Sequence, residues 1–382
     1  MDACRSMPDG SARDRAIAIV SGADARARAH VLRCALSAIA PLYSVAVHAY
    51  QGLFRLGALR RVALPCPVVS IGNLTVGGTG KTGLTIHLAS RLADMGLRPC
   101  VLAHGYRAAS TKAQVVSDGN RVLLSPSVAG DEAVLLGKSL QGVPVLVGRR
   151  RAESGRMAIE RFSPSVLILD DGFQYWRLER DLDVVLLDAT NPLGFGHLLP
   201  RGLLREPADH LSRAQAVVIT QCDRATPAQL DAALSVASRH APCASVWRAR
   251  YRPSGLRELN AGRSMELRQL RGARLGAMSS IAAPAAFQDA LRALGAAEVV
   301  PFAFADHHIY TCRDYARVLS EASRRRLDAV VVTEKDAVKL AELPRPTEGP
   351  PMLVLSVRME LEGDADLCAL VASVVASGGA RR

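Results

Sequence analysis

Aromatic side chains are scarce: Phe, Tyr and Trp together make up 4% of the 382 residues. So thin a supply argues against the stacking platforms that hold single-stranded nucleic acid, and no nucleic-acid partner is expected. The eight cysteines lie scattered along a long chain and no two form a CxxC pair. Neither a zinc site nor a disulfide framework is indicated, and a reducing, cytoplasmic setting fits best. No secretory signal is visible, because residues 1–30 mix acidic and basic groups around one short apolar run, Ala16 to Val20. Internal repeats and low-complexity tracts are also lacking. What is present is a globular balance of 49% hydrophobic and 22% charged residues, enough apolar surface to offset chain entropy in two or three domains. The formal net charge of +12 calls for an anionic partner, which by charge alone is nucleic acid, a phosphorylated substrate or an anionic membrane face.

Five regions are expected. Residues 1–30 read as a mobile extension. Residues 31–64 hold a long, mostly apolar segment, Val31 to Leu53, flanked by Arg28, Arg55, Arg60 and Arg61 and interrupted by Arg33, Pro41, His48 and Gln51. It reads either as a buried helix or as an amphipathic helix lying in a membrane surface, whereas a full span is disfavoured by its charge and by Pro41. Residues 65–224 alternate short apolar runs with helical patterns, the pattern of an α/β fold with a helix-covered parallel sheet. Expected strands are Pro67 to Ile71, Pro99 to Ala103, Val143 to Val147, Ser165 to Leu169, Asp183 to Leu187 and Ala216 to Thr220. Helices are expected over Thr82 to Met95, Asp131 to Leu140 and Arg150 to Phe162. Residues 225–272, rich in Ala, Arg, Pro and Gly, read as a linker. Residues 273–382 form a second, smaller α/β series, with expected strands Leu275 to Met278, Val299 to Ala303, Ala329 to Thr333 and Met352 to Leu355.

Thr75-Val76-Gly77-Gly78-Thr79-Gly80-Lys81-Thr82 sits between an expected strand and an expected helix, the context of a phosphate-binding loop. Glycines let backbone amides converge on phosphate oxygens, the helix N-terminus adds its positive end, Lys81 can bridge the β and γ phosphates, and Thr82 can ligate Mg2+. The usual GxxxxGK[ST] pattern has glycine where Thr75 stands. Further on, Val166-Leu167-Ile168-Leu169-Asp170-Asp171 is an apolar strand tipped by two carboxylates, which beside such a loop hold magnesium directly or through water. ATP or GTP with Mg2+ is therefore expected. An Asp-Gly turn is the plainer alternative for the acidic pair, since Gly172 follows.

Asp170-Asp171-Gly172-Phe173-Gln174, Leu199-Pro200-Arg201-Gly202-Leu203-Leu204-Arg205-Glu206-Pro207, Asp306-His307-His308 and Thr333-Glu334-Lys335-Asp336-Ala337-Val338-Lys339 follow the glycine loop in one order. Together with Val69 to Thr82, this series closely resembles the tetraacyldisaccharide 4'-kinase (lipid A 4'-kinase) family, from about Val31 to the C-terminus. The resemblance implies a P-loop NTPase-type kinase domain, a second smaller α/β domain and an N-terminal membrane-associated helix. It also implies transfer of the γ-phosphate of ATP to the 4'-hydroxyl of an anionic acylated glucosamine disaccharide, at the cytoplasmic face of the inner membrane. By the same resemblance Asp131, in Gly130-Asp131-Glu132, is the base that takes the hydroxyl proton, assisted by His307. Taken alone, those two residues read as a helix N-cap and a loop histidine. Glu206 matches an acid associated with magnesium and nucleotide; its plainer reading is a loop salt bridge with Arg205. Arg151 and Arg205 are candidate phosphate contacts on the substrate side, although the Arg149-Arg150-Arg151 cluster also fits a solvated face. The role of Thr333 to Asp336 stays open between closing over the nucleotide and capping the next helix.

Three positions depart from the family's common pattern: Tyr175 in place of histidine after Gln174, His104 in place of arginine before Gly105-Tyr106, and Gly83 in place of proline. Two rival functions share parts of this sequence, a nucleotide-driven membrane-associated ATPase switch and a soluble small-molecule P-loop kinase.

Overall fold

The structure, a computed structural model, describes residues 12–105, 111–344, 346 and 348–378. In chain order the elements are α1 (Ala12–Ser21), α2 (Ala27–Arg55), β1 (Val68–Asn73), α3 (Lys81–Asp94), β2 (Pro99–Ala103), β3 (Gln114–Ser117), the single turn α4 (Pro126–Ala129), α5 (Asp131–Ser139), β4 (Val145–Val147), α6 (Arg151–Phe162), β5 (Val166–Asp170), β6 (Leu182–Asp188), β7 (Ala216–Thr220), α7 (Pro227–His240), β8 (Ser245–Glu258) and the two-residue β9 (Ser264–Met265). There follow β10 (Arg274–Ser279), α8 (Pro284–Ala293), β11 (Glu298–Ala303), α9 (Cys312–Arg324), β12 (Ala329–Thr333), α10 (Glu334–Leu340), β13 (Met352–Leu361) and α11 (Asp364–Gly378).

The strands form one mostly parallel sheet, ordered β11-β10-β12-β13-β8-β7-β6-β1-β5-β2-β4-β3, with β9 against β8. The β-branched runs become strands because both sheet faces are covered: all six residues of β1 and all five of β2, β5 and β7 are buried. Leu84, Leu88 and Leu92 repeat along one stripe of α3 and are fully buried in the core that also holds Val69, Ile71 and Ile168.

The expected linker at 225–272 is instead structured. Thr226 and Gln229 close a capping box that starts α7. In β8, buried Trp247 and Ala249 alternate with exposed Arg248 and Arg250, a period-two strand pattern that basic composition disguises. The first part of β8 runs parallel to β7, and its later part pairs antiparallel with β13. One strand therefore belongs to both halves.

The expected mobile extension is helical where it is described. Arg33 Nη1 donates to the carbonyls of Ile19 (3.3 Å) and Asp24 (2.8 Å), and Arg201 donates to that of Val20 (2.7 Å), tying α1 back onto the protein. Residues 1–11 lie outside the described residues. The long apolar segment forms α2, starting at Ala27 and ending at Arg55, so the helix does not continue to residue 64; Pro41 lies within it without ending it. It is seated near both ends: Ala29 is buried and Arg33 bonds to the end of α1 and the turn after it, while Phe54 is buried near Trp176 and His48 meets His210 edge-on.

Candidate active site

β1 delivers the glycine loop to the C-terminal edge of the sheet, and the register Ile71↔Asp170 sets the tip of β5 beside it. This is the edge at which open α/β sheets gather ligands. The loop is pinned from three sides. Val76 N donates to Leu203 O at 2.7 Å, Thr220 Oγ1 donates to Thr79 O at 3.0 Å, and Thr75 bridges Leu204. Gly77 and Gly80 have φ of 139° and 95°, conformations that side chains resist, and a Cβ on Gly80 would collide with the Tyr251 hydroxyl. Tyr251 also accounts for Gly83, where a Cβ would come within 3.0 Å of the same hydroxyl. Thr75 has no positive φ, so this position does not demand the usual glycine. Gly78 faces Ala282, which follows β10, so a loop from the second half reaches the phosphate loop.

Lys81 begins α3, and Thr82 lies half-buried in its first turn. Lys81 Nζ donates to Asn73 Oδ1 at 3.2 Å and lies 3.7 Å from Asp171 Oδ1. Arg205 grips both oxygens of Asp171, at 3.0 and 3.1 Å, and also donates to the backbone and side-chain oxygens of Asn73. Burial pushes the Asp171 carboxyl up, but Lys81 and Arg205 outweigh it and hold the group at about 2. Its neighbour goes the other way. Asp170 is buried, with Glu132 and Asp171 as anionic neighbours, and rises to about 7 although Thr85 Oγ1 donates to it at 2.9 Å. Such a pair has room for added positive charge.

The other expected contacts lie elsewhere. Glu206 is 3% exposed, and its carboxylate takes Arg213 Nη1 at 2.7 Å, His210 Nδ1 at 3.1 Å and Trp176 Nε1 at 3.4 Å. The acid expected with magnesium is thus engaged behind the loop, and its partner is Arg213 rather than Arg205. Arg151, expected to face a substrate phosphate, is 1% exposed and braces the acidic turn from within, donating to the carbonyls of Gly148 (2.9 Å) and Asp170 (3.1 Å). Two departures from the family pattern serve this brace: His104 Nδ1 lies 3.1 Å from Arg151 Nη1, and the Tyr175 hydroxyl accepts from Arg151 N at 3.0 Å. Tyr106 lies outside the described residues.

Asp131 and His307 come together across the whole fold. Gly130, at φ 89°, turns the chain into α5 and aims Asp131 toward the loop after β11, where His307 adopts φ 58°. His307 Nδ1 lies 3.1 Å from Asp131 Oδ2, and His307 Nε2 lies 3.2 Å from Lys335 Nζ. A lysine ammonium has only hydrogens to give, so Nε2 accepts and the ring hydrogen sits on Nδ1, donating to Asp131. Lys335 also donates to Glu132 Oε1 at 3.1 Å. Burial opposes ionisation of Asp131, but the His307 hydrogen bond and Lys335 prevail and keep it at about 2. Thr333 caps α10 by accepting from Asp336 N, which satisfies the capping alternative. Lys335 is the member of this group that sequence reasoning did not place, since its partners lie far away in the chain.

Thr79 Oγ1, Asn73 Nδ2 and Arg205 Nε are buried polar atoms without a protein partner around the loop. Such atoms suit a polyphosphate, whose oxygens accept from all three. Among the described residues no three His, Cys, Asp or Glu side chains are grouped to hold a metal by themselves.

Residues 32–376 match the family described as tetraacyldisaccharide-1-P 4'-kinase, LpxK. A tetraacyldisaccharide 4'-kinase of Anaeromyxobacter dehalogenans (strain 2CP-C) is 45% identical over 325 residues, covering 82% of this chain and 83% of the relative. The enzyme of that name from Syntrophus aciditrophicus (strain SB) is 41% identical over 347 residues, covering 88% and 91%. Among solved structures, LpxK from Aquifex aeolicus in complex with ATP superposes with a TM-score of 0.71 at 28% identity, over 90% of this chain and 99% of that one. With its phosphate loop, paired acids and cross-fold Asp-His contact in place, the chain belongs to the tetraacyldisaccharide 4'-kinase family.

Proposed function

We propose that this chain moves the γ-phosphoryl group of ATP onto the 4'-hydroxyl of a tetraacylated glucosamine disaccharide 1-phosphate, a kinase step of lipid A biosynthesis. The observation that carries the reading furthest is the Asp131–His307–Lys335 cluster, assembled from both halves of the fold. A nucleotide switch that hydrolyses ATP onto water could use the same base, so the acceptor that ends up phosphorylated, lipid or water, separates the two readings.

In this reading the loop amides and Lys81 hold the transferring phosphate and neutralise its charge in the transition state. Asp131 takes the proton of the attacking hydroxyl, while His307 orients its carboxylate through Nδ1–H. A carboxylate held at about 2 is a weak base at neutral pH. Lys335 contributes to that restraint, and drawing its ammonium toward an incoming phosphate strengthens the base at the moment it is needed. Thr82, Asp170 and Asp171 are the residues to hold magnesium, which supplies charge neutralisation across the phosphates. Arg205 stations Asp171.

The enzyme works on a lipid, and α2 supplies the surface for it at the cytoplasmic face of the inner membrane. The helix is long and apolar enough to cross a bilayer, and its most apolar eighteen-residue stretch has no buried residue. Val31, Leu42 and Val45 are 68%, 70% and 66% exposed, and arginines flank the helix at 28, 55, 60 and 61, as suits an anionic leaflet. Replacing Leu42 and Val45 together by serine should weaken co-sedimentation with anionic vesicles by about tenfold or more, since each forfeits the burial of a large aliphatic group; unchanged binding would place the membrane contact elsewhere.

The functional test is direct. Incubated with ATP, magnesium and detergent-dispersed disaccharide lipid, the protein should yield phosphorylated lipid, and chelating the magnesium should stop it. Release of free phosphate with no lipid product would overturn the reading.

A further inference from the structure

Two polar side chains of α2 point inward. Tyr43 and Gln51 are eight residues apart, a little over two turns, so they leave roughly the same side of the helix. The Tyr43 hydroxyl donates to the carbonyl oxygen of Arg205 at 2.9 Å. Gln51, 2% exposed, brings its amide to 3.0 Å from His210 Nδ1, and that nitrogen lies 3.1 Å from Glu206 Oε2; a carboxylate only accepts, so Nδ1 carries the hydrogen and shares it with the amide oxygen of Gln51. The membrane helix therefore takes hold of residue 205 directly and of residue 206 through His210, in the segment that flanks the phosphate loop.

Residue 205 is held on every side. Its N–H donates to Leu74 O at 2.7 Å, at the entrance to the glycine loop. Its guanidinium grips Asp171 and Asn73, and Asn73 in turn accepts from Lys81. An arginine fork positions a carboxylate only as well as its own backbone is fixed. Of the two backbone groups of residue 205, one is fixed by Leu74, just past the end of β1, and the other by α2.

We propose that Tyr43 and Gln51 are positioning residues for phosphoryl transfer: the membrane-facing helix sets the Arg205–Glu206 segment, and through Arg205 the carboxylate and lysine of the nucleotide site. The helix is then a working part of the catalytic centre as well as an anchor. A protein whose α2 is unseated loses order at Asp171 and Lys81, which couples engagement of the bilayer to readiness for ATP. This inference rests on the assignment of nucleotide to residues 75–82.

The experiment uses the full-length chain carrying Y43F, Q51L, both, and each of these combined with Arg205→Ala. Three quantities are read: affinity for the magnesium complex of a nonhydrolysable ATP analogue without lipid, kcat and acceptor KM on detergent-dispersed substrate, and co-sedimentation with anionic vesicles. The Y43F/Q51L protein should bind vesicles normally and keep its acceptor KM, while kcat and analogue affinity each fall by about 3- to 10-fold, the scale of one or two hydrogen bonds. In the Arg205→Ala background Y43F should cost nothing further, because its route to the nucleotide has been removed. Wild-type kcat and analogue affinity in Y43F/Q51L, or losses that add fully to that of Arg205→Ala, would overturn the proposal. The analogue measurement needs no acceptor, so it decides the coupling even if the lipid assay yields no product.

Discussion

Lys81→Ala is expected to lower kcat by about 100- to 1,000-fold or more, the usual scale for removing a charge contact made in the transition state. Lys81 is well placed for that part: it opens α3 directly after the left-handed Gly80 and lies 3.7 Å from Asp171. The loss should appear in transfer of phosphate from ATP to the lipid measured at saturating substrates. Analogue binding should fall far less, because the loop amides and the N-terminus of α3 remain. Lys81→Arg keeps the charge but changes the shape of the donor, and it should recover only part of the rate. Near-normal turnover in Lys81→Ala would remove the phosphate-cradle reading.

Asp131→Asn should be almost as severe, about 100- to 10,000-fold in kcat with little change in nucleotide affinity, since a general base acts on the step and not on binding. His307→Ala should also be slow, and the double variant no slower than the worse single one, because the two side chains act as a unit. Asp131 also leaves a signature in stability. Its carboxyl is held at about 2 in the fold against 3.8 for the free group, so a lowered value means charge is favoured by folding. That contribution is fully present above about pH 4 and is lost as pH falls toward 2. Acid unfolding of Asp131→Asn should therefore be less steep in that window. Equal acid sensitivity of variant and parent would contradict the ionised Asp131–His307 contact.

The parallel core was legible because its strands are short β-branched runs buried on both faces. Ala216–Thr220 and Ala329–Thr333 have the bounds that the apolar pattern suggests. β8 was hidden because Arg248, Arg250, Arg252, Pro253 and Gly255 give it the composition of a loop, and only the alternation with Trp247, Ala249 and Tyr251 betrays it. In the site, the residues that act through local order, Lys81 and the Asp170-Asp171 tip, follow from neighbouring sequence. Asp131 and His307 needed a resemblance to be paired, since 176 residues separate them. Glu206 and Arg151 illustrate what motifs leave out. A carboxylate or guanidinium beside a phosphate loop can face it or support it from behind, and which occurs depends on packing partners such as Trp176, His210 and Tyr175.

β8 also bears on how such an enzyme can be divided. Cutting the gene before Ser245 would strip β7 of its outer neighbour in one fragment, and cutting after Glu258 would deprive β13 of its own in the other. Either fragment would present a long raw border of unsatisfied amides and carbonyls, an invitation to aggregate. The two halves thus stand or fall together as a single inheritance, and recombination that shuffles one without the other meets a seam woven from a common thread.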